Sequence, residues 1–388
     1  MIVDELRIIG STQTNVVMVA ELVRIAQRAL RRRPPEPRKE GLGQLVLPFD
    51  RELAWAATTY MRTPTRVLWD VYRSRAPRLE PLYDELVADV RGDGRLLWRD
   101  GDGISVEARR VEAFPAGERQ IIGTVKNALI DGAKQRGIRL HVDPERPATR
   151  WIVRLADGDR VDELVVSIDL GGGSLSQRGW RRAAGPAPLR EHLAAVLLML
   201  CRFHARNDVL VDPMCGAGTI PIEAVHAARA TPRNVPALAA LGLDPAQPAK
   251  PLFADSDPIV IGCDLDLEAL AAARDNARAA GVADRVTLQR ADVANLRPEM
   301  IAEIVRERGQ EPRTGLIVAN PPYGERLEPG DVYEAIAVAC RRFAGWRAGF
   351  LVGSPLFEDV AFRAIGRPRI KKPLANANLR AYFLLYDL

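Results

Sequence analysis

The sequence predicts an α/β chain: a doubly wound, mostly parallel sheet over residues 188–388, preceded by a smaller α+β region. Three observations carry this expectation. From Pro188 onward, short β-rich runs alternate with helical ones. A glycine-containing turn, Pro-Met-Cys-Gly216-Ala-Gly218-Thr219, stands between the first of these strands and its helix. Before Gly171, strands and helices follow one another without that regular alternation.

Taken in order, residues 1–50 resist assignment. Val16–Leu30 has helical periodicity, which the stretch Arg24–Lys39 then breaks with seven basic residues and three prolines, reading as a flexible linker. Glu52–Met61 reads as a helix, Pro64–Tyr72 as a strand and Leu79–Val90 as an amphipathic helix. Gly103–Arg110 alternates like a strand. Ile121–Arg136 reads as a helix closed by Gly137. Trp151–Ala156 and Glu163–Leu170 are β-rich runs around a turn, ended by Gly171-Gly172-Gly173. A long helix over Pro188–Arg206 then opens the regular part. Its strands are Val209–Val211, Ile259–Gly262, Val286–Gln289, Leu316–Ala319, Gly349–Val352 and Ala381–Tyr386. Its helices are Thr219–Ala230, Leu267–Ala280 and Val332–Phe343. Thr231–Pro258, rich in Pro and Ala, reads as a surface insertion.

The 388 residues are 47% hydrophobic and 27% charged, an ordinary balance for a globular protein of two or three domains. Met1–Gly10 lacks the apolar stretch of a signal peptide, and the longest apolar run, Leu193–Cys201, is too short to span a bilayer. A cytoplasmic protein without membrane contact is expected. Cys201, Cys215, Cys263 and Cys340 form no CxxC pair, and the four histidines no ligand pattern, so no metal is expected. The net charge of +5 favours a polyanionic partner modestly. Ser174–Arg190 carries Arg178, Arg181, Arg182 and Arg190 with no acid. With Trp180 among them, Arg178, Arg181 and Arg182 are read as phosphate and base contacts to RNA.

The chemistry-bearing residues fall at strand ends. Asp212 closes the first strand and lies in the glycine turn, where it could receive the ammonium of an amino-acid-bearing ligand. The full GxGxxG of dinucleotide sites is absent, since Pro221 stands at the third glycine position. Cys215 reads as a small packing residue. Asp264 ends the second strand and suits two ribose hydroxyls, whereas Asp266 suits a helix N-cap. Asp292 ends the third strand and could accept from an adenine amino group. Together these acids describe S-adenosylmethionine on the carboxyl edge of a Rossmann-like sheet.

Asn320-Pro321-Pro322-Tyr323 follows the fourth strand. An exocyclic amine on a nucleobase is a poor nucleophile because its lone pair is delocalised into the ring. The Asn320 side-chain oxygen and the Pro321 carbonyl can both accept from that amine, which favours a pyramidal nitrogen aimed at the methyl group. The prolines, Pro321 and Pro322, prevent regular sheet pairing, and Tyr323 can stack on the base.

These motifs resemble a known family. DPMCGAGTIPIEA (212–224), GCDLDLEALAAARDNARAAGV (262–282) and ANPPYGERL (319–327) resemble the bacterial ribosomal RNA guanine-N2 methyltransferases that carry a THUMP domain. SIDLGGGSLSQRGWRRAAGPAPLREHLAAVLL (167–198) resembles that family's junction, and KKPLANANLRAYFLLYDL (371–388) its last strand pair. The resemblance implies methyl transfer from S-adenosylmethionine to the N2 amine of a guanine in 23S rRNA, with tRNA as the substrate of related THUMP enzymes. It implies donor contacts at Asp212, Cys215, Gly216, Gly218, Asp264 and Asp292. Pro188, Leu189 and Arg190 would line the methionine end, and Asn320, Pro321 and Tyr323 would hold the base. The implied organisation is an unassigned segment 1–50, a ferredoxin-like and THUMP RNA-binding region 51–170, a basic linker 171–187 and a methyltransferase domain 188–388. Two other readings stay open: an N6-adenine methyltransferase on RNA or DNA, since the same logic serves any conjugated amine, and a non-catalytic RNA-binding assembly factor.

Overall fold

The computed structural model describes residues 1–156, 162–183, 189–245, 247–322, 330–376 and 379–388, without the side chains of 375, 376, 379 and 380. The chain divides into two compact units. The first holds Met1–Gly10, Met18–Leu175 and Pro232–Ala249; the second holds Ser11–Val17, Ser176–Thr231 and Lys250–Leu388.

Up to Asp169 the elements are Ile2–Ile9 (β1), Asn15–Ala29 (α1), Arg38–Glu40 (β2), Gln44–Pro48 (β3), Arg51–Tyr60 (α2), Arg66–Ser74 (β4), Leu79–Gly92 (α3), Gly103–Arg109 (β5), Glu118–Lys134 (α4), His141–Val142 (β6), Thr149–Leu155 (β7) and Leu164–Asp169 (β8). The strands make one sheet in the order β2-β3-β1-β4-β8-β7-β5-β6. Residues 1–50 are therefore not a loose segment with a linker, which corrects the sequence reading. β1 pairs antiparallel with both β3 and β4, and its alternation buries Leu6 and Ile8 completely. The order β1-α1-β2-β3-α2-β4 is a ferredoxin-like arrangement that starts at Ile2, not at residue 51. Arg38 and Lys39, assigned to the linker, belong to β2.

One sheet face carries buried charge. Asp70 accepts from Arg7 Nε at 2.9 Å, Arg154 Nη2 at 3.0 Å and Ser167 Oγ at 2.6 Å. Burial opposes ionisation of this carboxyl, but Arg154 and Arg7 hold it below the usual carboxylate range. The acids and arginines come from strands far apart in sequence, so the network locks the register of β1, β4, β7 and β8.

Beyond residue 190 the elements are Glu191–Leu200 (α5), Val209–Asp212 (β9), Thr219–Arg229 (α6), Pro236–Ala240 (α7), Ile259–Asp264 (β10), Leu267–Ala279 (α8), Val286–Arg290 (β11), Pro298–Glu307 (α9), Gly315–Ala319 (β12), Gly330–Cys340 (α10), Arg347–Val352 (β13), Pro355–Ile365 (α11), Ile370–Asn376 (β14) and Leu379–Asp387 (β15). The sheet order is β11-β10-β9-β12-β13-β15-β14, with β15 antiparallel to both neighbours and the other pairs parallel. This is the doubly wound sheet expected. Its central strands are buried on both faces: Val209, Val211, Ile317 and Ala319 pack into one core, and Leu210, Leu316 and Val318 into the other. The long helix expected over Pro188–Arg206 is shorter. It stops at Leu200, and Arg202 turns into the left-handed region at φ 52°.

The segment after α6 also departs from expectation. Pro232–Ala249, with α7, packs with the first unit instead of forming a free surface insertion. The Arg233 N–H donates to the Thr59 carbonyl at 3.0 Å, and its guanidinium donates to the carbonyls of Thr58 and Met61. These contacts satisfy the open C-terminal end of α2. A boundary at residue 187 thus divides neither unit cleanly.

Close approach fixes Gly315 at the start of β12. A Cβ there would run into the Val209 carbonyl on the neighbouring strand. Backbone cannot move aside as a flexible side chain can, so Gly315→Ala is expected to destabilise the protein by about 3 kcal/mol. Chemical denaturation of the purified variant checks this, and unchanged stability would contradict the pairing of β12 with β9.

Candidate methyl-donor and target-base site

The site lies at the carboxyl edge of the second sheet. From β9 the chain winds outward through β10 and β11, then returns to β12 on the other side of β9. The crevice between β9 and β12 is thus the switch point, where ligands bind in such sheets.

The turn after β9 is held from several sides. Gly216 and Gly218 have φ of 51° and 82°, a region that disfavours side chains. The Cys215 N–H donates to the Cys263 carbonyl at 2.8 Å, and the Gly216 N–H to Asp264 Oδ2 at 2.8 Å. Cys215 is buried and its thiol is pushed well above its usual range by burial and by Asp212 and Asp264. It is a protonated packing residue, not a nucleophile.

Asp212 is 1% exposed, and its Oδ1 accepts from the Met214 N–H at 3.2 Å. Burial, with Asp264 nearby, pushes its carboxyl well above the usual range. Asp264 also accepts from the Asp266 N–H at 3.0 Å, and Asp266 caps α8 as expected. Asp292 follows β11, half-buried, with Oδ1 accepting from the Ala294 N–H at 2.9 Å. Three acids therefore line consecutive strand ends, a donor set that suits a cationic ligand carrying an ammonium and hydroxyls.

Asn320 follows β12 at the same edge. Its Oδ1 is buried and makes no hydrogen bond among the described residues. An unsatisfied buried acceptor costs about 1–3 kcal/mol, so it marks a place prepared for a donor. Pro321 is buried, and the Pro322 carbonyl accepts from the Tyr333 hydroxyl of α10 at 2.8 Å. Tyr333 is buried edge-on against Phe357, with ring centroids 5.2 Å apart. It is a supporting residue that the sequence reading missed. Only its helical spacing on α10 pointed inward. Tyr323 and Pro188 lie outside the described residues.

The basic segment before α5 departs from its expected role. Trp180 is 4% exposed and packs in the core beside Leu189, so its ring faces cannot stack on a base. Arg178 is buried against Glu223 at 3.3 Å. Arg181 donates to Glu191 Oε1 at 3.0 Å, to the Leu189 carbonyl at 2.9 Å and to Thr219 Oγ1 at 3.1 Å. Arg178, Trp180 and Arg181 are thus engaged inside the second unit and do not form an RNA-facing patch. Arg182 is exposed, and its backbone N–H donates to Asn276 Oδ1 at 2.7 Å. Leu189 points into the core, which leaves Arg190, exposed at the start of α5, to face outward.

Among the described residues, no helix is long and apolar enough to cross a membrane, and no group of His, Cys, Asp and Glu is placed to hold a metal ion.

Comparison with known proteins agrees with this arrangement. Residues 178–361 match the family model described as "RMKL-like, methyltransferase domain". The chain is 35% identical over 292 residues to the ribosomal RNA large subunit methyltransferase K/L of Aeromonas hydrophila, covering 68% of this chain and 40% of that protein. It is 34% identical over 366 residues to the protein of the same name from Methylococcus capsulatus, covering 87% and 46%. The chain thus spans less than half the length of these relatives. A crystal structure of a predicted N6-adenine-specific DNA methylase from Listeria monocytogenes superposes with a TM-score of 0.75 at 24% identity, covering 99% of this chain and 96% of that one. TrmN from Thermus thermophilus superposes at 0.68 with 22% identity, covering 99% and 100%. These likenesses establish the fold over nearly the whole chain. With the site on the carboxyl edge and the family match over the same residues, the chain carries an RMKL-like methyltransferase domain.

Proposed function

We propose that this chain transfers a methyl group from S-adenosylmethionine to the exocyclic N2 amine of a guanine in 23S rRNA. The observation that carries the reading is the buried Oδ1 of Asn320, without a hydrogen-bond partner among the described residues, at the switch-point edge one strand away from Asp212. The names of the K/L relatives support ribosomal RNA as the substrate, which makes the cytoplasm the expected compartment.

The donor supplies an electrophilic methyl group on a positively charged sulfur, so the leaving group needs no acid. The work of the chain is alignment and desolvation. Asp212 meets the ammonium, Asp264 the ribose hydroxyls and Asp292 the adenine amine. Gly216 and Gly218 allow the backbone to approach. Asn320 Oδ1 and the Pro321 carbonyl accept from the target amine and hold its nitrogen lone pair toward the methyl group. The base must leave its helix to reach this edge, and Tyr323 is the residue proposed to stack on it. The proton leaves to water after transfer. The α+β region up to residue 170, with its proposed THUMP module, supplies RNA affinity.

Tyr333 fixes the Pro322 carbonyl and thereby the Asn320–Pro322 backbone. Tyr333→Phe leaves that carbonyl short of one donor and is expected to lower kcat about ten-fold. Donor affinity should stay within about two-fold of the parent, because the bond lost is one to the Asn320–Pro322 segment. Steady-state kinetics with separate donor titration checks the split.

The function itself is tested by incubating the purified chain and labelled S-adenosylmethionine with unmodified 23S rRNA or tRNA, then identifying the labelled nucleoside. N2-methylguanosine in 23S rRNA is expected. The same nucleoside in tRNA alone would move the chain to the related tRNA enzymes. N6-methyladenosine would overturn the base assignment. No label in either RNA, with donor binding intact, would favour an assembly role.

A further inference from the structure

Asn276 lies on α8, away from the acids at the strand ends, and is completely buried. Its amide is used on all sides. Oδ1 accepts from the backbone N–H of Arg182 at 2.7 Å and of Ala183 at 3.2 Å. Nδ2 donates to the Ala183 carbonyl at 2.9 Å and to the Ala217 carbonyl at 3.0 Å. Two acceptor positions and two donor positions are the whole capacity of an amide side chain.

The Ala217 carbonyl belongs to the glycine turn, between two residues in the left-handed region. Within that turn the Cys215 N–H is held by the Cys263 carbonyl, the Gly216 N–H by Asp264, and the Gly218 N–H by the Cys215 carbonyl at 2.8 Å. Asn276 holds the carbonyl side of the same Ala217–Gly218 peptide, so that peptide is pinned at both its N–H and its C=O. The other three Asn276 bonds grip the segment 182–183, whose neighbour Arg181 reaches Thr219, the first residue of α6. One buried side chain therefore ties the segment before α5 to the turn that the donor must approach.

We propose that Asn276 is a positioning residue for the methyl donor: it sets donor affinity by holding the glycine turn in its binding conformation, without touching the ligand. This rests on the proposed donor function of the same turn. No other side chain of similar size replaces it. Aspartate offers acceptors to two carbonyls that need donors, and serine is too short to reach both strands of the contact.

The test compares full-length parent, Asn276→Asp and Asn276→Ser by calorimetric titration with S-adenosylhomocysteine and by thermal unfolding without ligand. Asn276→Asp is expected to weaken binding by at least about ten-fold, as loss of buried hydrogen bonds predicts. The deficit relative to the parent at the same pH should narrow as the pH is lowered and the new carboxyl gains a proton to donate. A folded Asn276→Asp variant that binds within two-fold of the parent, with no pH-dependent recovery, would overturn the proposal. Should that variant not fold, amide hydrogen exchange of ligand-free Asn276→Ser decides. Faster exchange at residues 214–220 with the rest of the sheet protected supports positioning, and unchanged exchange there overturns it. A parent that binds no S-adenosylhomocysteine would sink the donor reading itself, whereas normal parent binding with unaffected variants would sink only the role of Asn276.

Discussion

Asn320→Ala is expected to lower kcat by a factor on the order of 10^2–10^3 while leaving the protein folded and able to bind donor. The loss follows from what the Asn320 oxygen does. A guanine N2 amine is nearly planar, and only an acceptor set out of the ring plane turns its lone pair toward the methyl group. Removing one such preorganised partner from a desolvated site costs on that scale. Stability of the ligand-free protein should not fall, and should rise by up to about 1–3 kcal/mol as the buried acceptor is removed. Asn320 Oδ1 makes no bond among the described residues, so its loss leaves no buried partner unsatisfied. Asn320→Asp keeps an acceptor oxygen at the same place and should retain more activity than the alanine variant. Single-turnover rates with donor and RNA in excess separate this chemical effect from binding. Equal rates for parent and alanine variants would remove Asn320 from the mechanism.

Asp212→Asn is expected to weaken donor binding by about 30-fold or more while stabilising the ligand-free protein at neutral pH. Both effects come from one buried carboxyl. Burial, then Asp264, raises its pKa well above the ordinary carboxylate value in the folded state. Below that ordinary value both folded and unfolded chains keep the proton, and the residue costs nothing. As pH rises through it, the unfolded carboxyl ionises while the folded one stays protonated. Stability falls until the folded pKa is passed. Asparagine removes this loss, so the variant should unfold at a higher temperature than the parent at pH 7 and at the same temperature in acid. An ammonium at Asp212 restores its charge in the parent. About 2 kcal/mol for a buried charge partner gives the 30-fold estimate. For the same reason parent donor affinity should rise with pH as Asp212 ionises. Calorimetric titration across pH, with thermal unfolding of both proteins, checks the pair of signs. A variant that binds donor like the parent would place the ammonium elsewhere.

The strand-end acids and the glycine turn were legible in the sequence because their signals are local. Asp212, Gly216 and Gly218 fall within one strand-turn-helix unit, and Asp264 and Asp292 each end a short apolar run. The Asn320 tetrapeptide declares itself in the same way. The residues that support them were not legible, because their partners are distant. Arg178 looked like a free cation until Glu223, forty-five positions on, supplied its buried partner. Asn276 looked like a polar helix residue, since its contacts at 182–183 and 217 lie more than fifty positions away. The opening strand Ile2–Ile9 carries charges at Asp4, Glu5 and Arg7, which break a simple apolar alternation. Only its pairing with Gln44–Pro48 and Arg66–Ser74 reveals it as a central strand. Pro232–Ala249 shows the same limit from the other side. Its proline content says loop, but only the contacts of Arg233 with the end of α2 say where the loop is held.

The central claim is that the chain methylates the exocyclic N2 amine of guanine. It is tested most directly with two transcripts of the same rRNA segment, one containing guanosine and one with inosine in its place. Inosine lacks only the 2-amino group. The account predicts labelled methyl in the guanosine transcript, recovered as N2-methylguanosine, and none in the inosine transcript. Equal label in both, or label recovered on adenine, would contradict it.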